Sequence, residues 1–200
     1  MNSDSPRLSR RAVVRGVVGA TLSSSARAQF PLYPAQPLRT ATAQFVELRP
    51  LIETPALKLE RIDGKTVALN DLRGKVILMS FWATWCPPCR RELPMLERLG
   101  LIVDPSHLEI VAVSIDKAEK PVVAAFLKSV GVTCLQPFLD PEGRIAKHIN
   151  EDASSPFVLY GMPMSYVVDR RGRVVGYITG EVDWTSGEGL ALLRYYMHAE

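Results

Sequence analysis

Cys86 and Cys89 stand two residues apart in Trp85-Cys86-Pro87-Pro88-Cys89, between an apolar run and a segment of helical periodicity. The chemistry open to such a pair is thiol–disulfide exchange. One accessible thiol of lowered pKa attacks, and a second within reach resolves the mixed disulfide. Two intervening residues at a helix start bring both sulfurs within ordinary disulfide geometry. A sulfur at that position faces unpaired N–H groups and the positive end of the helix dipole, which favour thiolate. Cys86 is therefore expected to be the attacking thiolate and Cys89 the more buried resolving thiol. Pro87 and Pro88 remove two backbone donors, which leaves the N–H of Cys89 nearest to the Cys86 sulfur, and Arg90 and Arg91 add positive charge. A moderately lowered pKa follows, suited to a reductant rather than a strong oxidant.

The competing readings of the pair are a structural disulfide and half of a zinc site. Zinc requires further ligands, and His107, His148 and His198 show no paired spacing. No metal and no cofactor is needed for the exchange. Met95, Met162 and Met164 could form a soft set for Cu(I) beside the thiols, although methionine more often fills space in a core. The third cysteine, Cys134, precedes an apolar strand and reads as a small buried hydrophobe. Tyr195 and Tyr196 read as helix packing.

The elements that position the pair can be followed along the chain. Leu57–Ile62 alternates like a half-buried strand, and Asp63-Gly64 turns it into Thr66–Leu69, an N-terminal β-hairpin. Residues 76–83 are nearly all apolar, as a strand covered on both faces requires. Behind Pro87 and Pro88, which a first helical turn tolerates, Leu93, Leu96 and Leu99 recur at helical spacing. Glu109–Asp116 is a second strand, followed by a helix to about Val130 and a shorter apolar run at Leu135–Leu139. Asp140-Pro141-Glu142-Gly143 is a turn, with a brief helix expected up to His148. Ser165–Asp169 and Arg173–Thr179 form a hairpin around Arg170-Arg171-Gly172, and Gly187–Met197 is an amphipathic helix. The alternation gives an α/β class: a parallel βαβ unit whose sheet is extended antiparallel by the hairpin, a central mixed sheet flanked by helices.

The net charge of +3 is local. Residues 1–28 hold Arg7, Arg10, Arg11, Arg15 and Arg27 against Asp4, a local +4, so the rest of the chain carries −1 and no nucleic-acid surface is implied. Arg10-Arg11, a weakly apolar stretch to Leu22 and Ala26-Arg27-Ala28 occur in the order of a cleavable signal. The paired arginines resemble a twin-arginine signal, so residues 1–28 are expected to direct export to the periplasm, with a cut before Gln29. Residues 29–55, with five prolines and no sustained period, read as a linker or as an arm lying along the domain surface. Residues 56–200 form the folded domain. A compartment outside the cytosol exposes a C-x-x-C pair to oxidants, so the poise of the pair becomes the functional question.

The segment Phe81-Trp82-Ala83-Thr84-Trp85-Cys86-Pro87-Pro88-Cys89-Arg90-Arg91-Glu92-Leu93-Pro94 resembles the active-site segment of the thioredoxin superfamily, and more narrowly that of its TlpA/ResA branch. The resemblance extends over about residues 55–197. It takes in Leu72-Arg73-Gly74-Lys75, Asp140–Gly143, Gly161-Met162-Pro163, Val168-Asp169 with Gly172, and Gly180 with Trp184. It implies a thioredoxin-like fold and a cis peptide between Met162 and Pro163 beside the cysteines. Trp85, Pro87, Pro88, Met162 and Pro163 would then border the docked substrate strand. Glu92 matches an acidic residue of the branch, and it would either relay protons at Cys89 or be a solvated helix carboxylate. Ser80 stands where thioredoxins proper place a buried aspartate.

The resemblance further implies protein disulfides as substrates, a membrane electron donor, and clients in cytochrome c or respiratory copper-site maturation. Two departures stand out. Met164 replaces a threonine or similar residue after the proline, which would make the substrate groove more apolar, and Asn150–Tyr160 is longer than usual, suggesting an exposed loop near the active face. A copper-binding assembly chaperone and a thiol peroxidase are the alternative functions. A peroxidase, however, relies on a lone peroxidatic cysteine rather than a C-x-x-C pair.

Overall fold

The computed structural model describes Met1 and residues 38–40, 43–151 and 155–199. The export signal read over residues 1–28 and the first part of the arm lie outside the described residues. In chain order the elements are β1 (Val46–Glu53), β2 (Lys58–Arg61), β3 (Thr66–Ala68), a short 3-10 turn (Leu69–Leu72), β4 (Val76–Trp82), α1 (Pro87–Ile102) and β5 (Leu108–Ser114). They continue with α2 (Lys120–Ser129), β6 (Phe138–Leu139), β7 (Ala146–His148), β8 (Phe157–Leu159), β9 (Met164–Val168), β10 (Arg173–Thr179) and α3 (Gly187–His198).

Every residue of β4 is buried, as its unbroken apolar sequence demands. The strand lies near the middle of an eight-stranded sheet of order β1-β10-β9-β4-β5-β6-β2-β3. It pairs parallel with β5, through the crossover helix α1, and antiparallel with β9. The sheet is therefore mixed, and the expected hairpins β2–β3 and β9–β10 are both present.

Successive side chains of a strand point to opposite faces, and β4 divides its own accordingly. Val76, Leu78 and Trp82 join a cluster with Leu93, Leu96 and Leu99 of α1, Val123 and Leu127 of α2, and Leu192 and Leu193 of α3. Ile77, Met79 and Phe81 join a second cluster with Ile145, Ala146, Phe157 and Leu159. Helices thus supply one face, and the segment around β7 and β8 supplies the other.

That second face departs from the sequence reading. The brief helix expected before His148 is the strand β7, paired parallel with β8 in a separate two-stranded sheet. The carboxylate of Asp140 accepts the amides of Arg144, Ile145 and Ala146 at 2.8, 2.9 and 2.9 Å, which fixes the turn. The chain then leaves extended, because adjacent Ile145 and Ala146 are both drawn into the core and β8 offers a partner. Part of the segment read as an exposed loop over Asn150–Tyr160 is accordingly a strand, with Phe157 and Leu159 buried; residues 152–154 lie outside the described residues.

The arm is partly ordered against the sheet. Within the stretch read as a linker, β1 pairs antiparallel with β10 and closes that edge of the sheet. Leu38, Ala43 and Phe45 are buried in the helix-side cluster. The period of two is broken in β1 by a register shift between Glu47 and Ile52, a stretch that contains Pro50, so alternation could not reveal the strand.

Gly176 of β10 is where the arm fits. A Cβ there would meet Phe45 Cζ at 2.3 Å and the Val46 carbonyl oxygen at 2.5 Å. Gly176→Ala is expected to destabilise the fold by about 1–3 kcal/mol, read as a lowered midpoint in thermal or denaturant unfolding. An unchanged midpoint would mean that the arm is not docked on β10 in solution.

Candidate active site

Strand β4 ends at Trp82, a short turn follows, and α1 begins at Pro87. The turn is anchored from the neighbouring strand. Asp116, just beyond β5, accepts the N–H and the hydroxyl of Thr84 at 2.8 and 2.7 Å and the hydroxyl of Ser114 at 2.8 Å. Sequence reading had placed Asp116 only as the end of a strand, and its role became visible once the parallel pairing of β4 with β5 put it beside Thr84.

Cys86 caps the helix. Its backbone is extended, its sulfur accepts the N–H of Cys89 at 3.3 Å, and Pro87 and Pro88 occupy the first helical positions. This is the donor arrangement expected from the two prolines. Cys86 and Cys89 form a disulfide with Cα atoms 5.3 Å apart. Both sulfur residues are buried, Cys86 at 3 % exposure and Cys89 at 0 %, so the first cysteine is the more accessible only by a narrow margin. Trp85 beside them is 62 % exposed, Pro87 is exposed and Pro88 is half-buried.

The peptide between Met162 and Pro163 is cis, as the resemblance implied. Pro163 is buried, and its carbonyl accepts the N–H of Gly180 at 2.8 Å, which ties the loop to the end of β10. Met162 is half-buried and packs against both hydrophobic clusters, one of which contains the two cysteines. Met164, by contrast, is fully buried in the other cluster, and its sulfur accepts the N–H of Tyr160 at 3.3 Å. It therefore does not soften a substrate groove, and its sulfur is not turned to the cysteines as a copper ligand. Among the described residues no three His, Cys, Asp or Glu side chains are grouped to hold a metal ion.

Glu92 is not a solvated helix carboxylate. It is 1 % exposed, and its oxygens accept from the Ser80 hydroxyl at 3.3 Å, the Val182 N–H at 3.2 Å and the Trp184 indole N–H at 3.2 Å. Burial pushes its pKa up to about 8, outweighing three hydrogen bonds that favour the charged form. Ser80 thus serves as a hydroxyl donor to a carboxylate carried by the helix. Glu92 follows Cys89 by three residues on α1, so the two buried groups share one helix face.

The two arginines contribute unequally to the local charge. Arg91 is paired with Glu181 at 2.6 Å, and Arg90 lies over the Phe126 ring, 5.2 Å from its centroid. Phe126 in turn stacks on Trp82. A cleft of about 740 Å³ opens beside Trp85, bordered by Asp116, Lys117, Glu142, Lys147 and His148. Glu151 and Leu159 also line it.

Cys134 contradicts its sequence reading, being exposed rather than buried. Its segment is turned outward by Glu97 of α1, whose carboxylate accepts the amides of Thr133, Cys134 and Leu135. Burial opposes ionisation of Glu97, yet these amides hold its pKa below the usual carboxylate value.

A mixed sheet with a cysteine pair closed into a disulfide just past the end of β4, and a cis-proline just ahead of the adjacent strand β9, defines a thioredoxin-like redox protein. The chain belongs to the Redoxin family, whose sequence model matches residues 52–191. Among curated proteins it is similar to the thiol-disulfide oxidoreductase ResA of Bacillus subtilis, 32% identical over 128 residues that make up 64% of this chain and 66% of that protein. It is also similar to the thioredoxin-like protein YneN of the same organism, 34% identical over 122 residues, 60% of this chain and 65% of that protein. The chain thus spans a little under two thirds of the length of these relatives.

A solved DsbE-type thiol:disulfide interchange protein from Chlorobium tepidum aligns with a TM-score of 0.57 at 27% identity, covering 73% of this chain and 99% of that one. A DsbF homologue from Corynebacterium diphtheriae gives a TM-score of 0.58 at 19% identity, covering 81% and 98%, and bears on the fold alone.

The state of Glu92 has a consequence for stability. Its folded pKa of about 8 lies above the ordinary glutamate value of 4.5, so the fold favours the protonated carboxyl. That contribution is complete below about pH 4.5 and is lost as pH rises through about 8. Unfolding free energy is expected to fall by roughly 3–4 kcal/mol from this group between pH 5 and pH 8. Glu92→Gln should flatten that slope in urea titrations, and an equally steep slope in the variant would place the titrating group elsewhere.

Proposed function

We propose that the protein is a thiol–disulfide oxidoreductase that reduces disulfides in exported proteins. The observation that carries this reading is the Cys86–Cys89 disulfide at the first turn of α1, with the Cys86 sulfur held by the Cys89 amide and the cis-proline loop packed nearby. In the reduced protein, Cys86 as thiolate attacks one sulfur of a client disulfide. A mixed disulfide forms and the client's second sulfur leaves as a thiolate, which takes up a proton. Cys89, deprotonated, then attacks the Cys86 sulfur, closing the internal disulfide and releasing the client's first sulfur. The client gains two electrons and two protons.

Glu92 is the group suited to hold the proton that Cys89 must lose and regain. It is buried, shares a helix face with Cys89 and is shifted into the neutral range. Backbone groups beside Pro163, with Trp85, Pro87, Pro88 and Met162 around them, would receive the client as an extended strand. Regeneration requires a reductant, and the basic, twin-arginine-like N-terminus argues for export to the periplasm and hence for a donor in the membrane. No helix among the described residues is long and apolar enough to cross a membrane. The printed names of the relatives, thiol-disulfide oxidoreductases and interchange proteins, support the activity. Apocytochrome c and respiratory copper-site proteins are the clients that the resemblance to the TlpA/ResA branch favours.

Insulin reduction with dithiothreitol as electron source tests the reading. Cys86→Ser is expected to fall to the uncatalysed rate, and Cys89→Ser to accumulate a covalent complex that reductant releases. Retained turnover in Cys86→Ser would overturn the assignment. Glu92→Gln should slow exchange on the order of 100-fold at neutral pH and remove the limb of the pH–rate profile near 8. A purely structural role would leave the profile's shape intact.

A further inference from the structure

The β9–β10 turn and the C-terminal helix enclose a second cleft, of about 520 Å³, at the end of the sheet away from the disulfide. β4 has seven residues, with Gly74 of this cleft just ahead of it and the cysteines just after it. The two sites are thus separated by roughly 20 Å, one strand length. Four guanidinium groups line the cleft, those of Arg49, Arg170, Arg171 and Arg173, against the two carboxylates of Glu47 and Asp169.

Both carboxylates are already engaged. Asp169 accepts two guanidinium N–H groups of Arg173 on Oδ2 and the amides of Arg171 and Arg173 on Oδ1. Glu47 pairs with Arg49 in an exposed contact of 2.8 Å, a kind of pair that holds little energy. The remaining cations are uncommitted. Arg170 uses only its Nε, on the Gly74 carbonyl at 3.1 Å, and the Arg171 side chain has no hydrogen bond or ion pair among the described residues.

Tyr196 supplies an independent observation. It is 6 % exposed, it lines the same cleft, and its hydroxyl is buried with no hydrogen-bond partner. A buried hydroxyl left unpaired costs about 1–3 kcal/mol. Tyr196 shares the cleft lining with Glu47, Arg49 and Asp169. Burial, first, and these carboxylates raise its pKa, so it is a donor in need of an acceptor. Among the described residues, the Arg171 guanidinium, the terminal nitrogens of Arg170 and the orphaned hydroxyl belong to one cleft whose carboxylates are already engaged. A tetrahedral oxyanion offers enough oxygens for all three, and guanidinium geometry suits it.

We propose that this cleft is a binding site for a phosphate group, held by Arg170, Arg171 and the Tyr196 hydroxyl at the pole opposite the redox pair. The phosphate could be free or borne by a lipid headgroup, and the latter would seat the protein on an anionic membrane with its disulfide facing away.

The full chain, with the disulfide intact, is titrated with inorganic phosphate at low ionic strength by calorimetry. In parallel it is floated with vesicles of phosphatidylglycerol or phosphatidylcholine. Saturable phosphate binding with a Kd of about 1 mM is expected, weakened about five- to tenfold in Tyr196→Phe and about tenfold in Arg171→Ala, with insulin reduction unchanged in both. Flotation with phosphatidylglycerol, lost in the same two variants, would identify a headgroup as the source. Phosphate binding without flotation would identify a free anion. Failure of both probes to saturate, or binding that either substitution leaves unchanged, would overturn the site. Tyr196→Phe removes only an unpaired hydroxyl and Arg171 is exposed, so both variants retain the fold.

Discussion

A sulfur can be offered at the mouth of a helix only if the strand delivering it does not move, and in this protein that strand is β4. Its seven buried residues are gripped from both faces and by hydrogen bonds to β5 and β9 on either side. At its end the turn is held by Asp116 through two hydrogen bonds to Thr84, so the position of Cys86 is inherited from the sheet. The adjacent prolines then make the Cys89 amide the donor that reaches the Cys86 sulfur. A rigid approach and a sparse donor set act together: the first fixes where the sulfur is, and the second leaves the Cys89 amide as the donor it meets.

Behind the sulfurs, the protein tolerates an expensive group. Glu92 joins β4, α1 and the stretch after β10 through Ser80, Val182 and Trp184. Burying a carboxyl with three donors is costly for its charged form and acceptable for its neutral one, so the protein keeps a proton stored in its interior near neutral pH. An apolar replacement would strand the three donors that Glu92 now accepts from, each at a cost of about 1–3 kcal/mol. The network also ties the end of β10 and the 180–184 stretch to the helix that carries the cysteines.

Much of this was legible in the sequence, and the omissions have physical causes. The continuous apolar run of β4, the leucine spacing of α1 and the two hairpins declared themselves because their periods match a single covered surface. β7 and β8 did not, because three-residue strands are too short to show a period. β1 did not, because Pro50 and a register shift interrupt its alternation. At the site, Cys86, Cys89 and their donor geometry followed from spacing alone, whereas the cis bond before Pro163 came only from the family resemblance. Glu92 was noticed without its burial, since Val182 and Trp184 are about ninety residues away. Cys134 was misplaced because its outward turn is imposed by Glu97, on a different element.

The arm that reads as a linker is a structural strand, and this changes what counts as the domain. Between Val46 and Glu53 the chain covers the outer edge of β10, and Phe45 fills the space left by the missing side chain of Gly176. A fragment trimmed to the apparent start at residue 56 would carry every redox group and still be unfinished. Its β10 would present an unsatisfied ladder of backbone donors and acceptors beside an apolar notch, an invitation to another copy. Such a truncation would self-associate through that edge, and its loss of activity could be mistaken for a defect in its sulfurs.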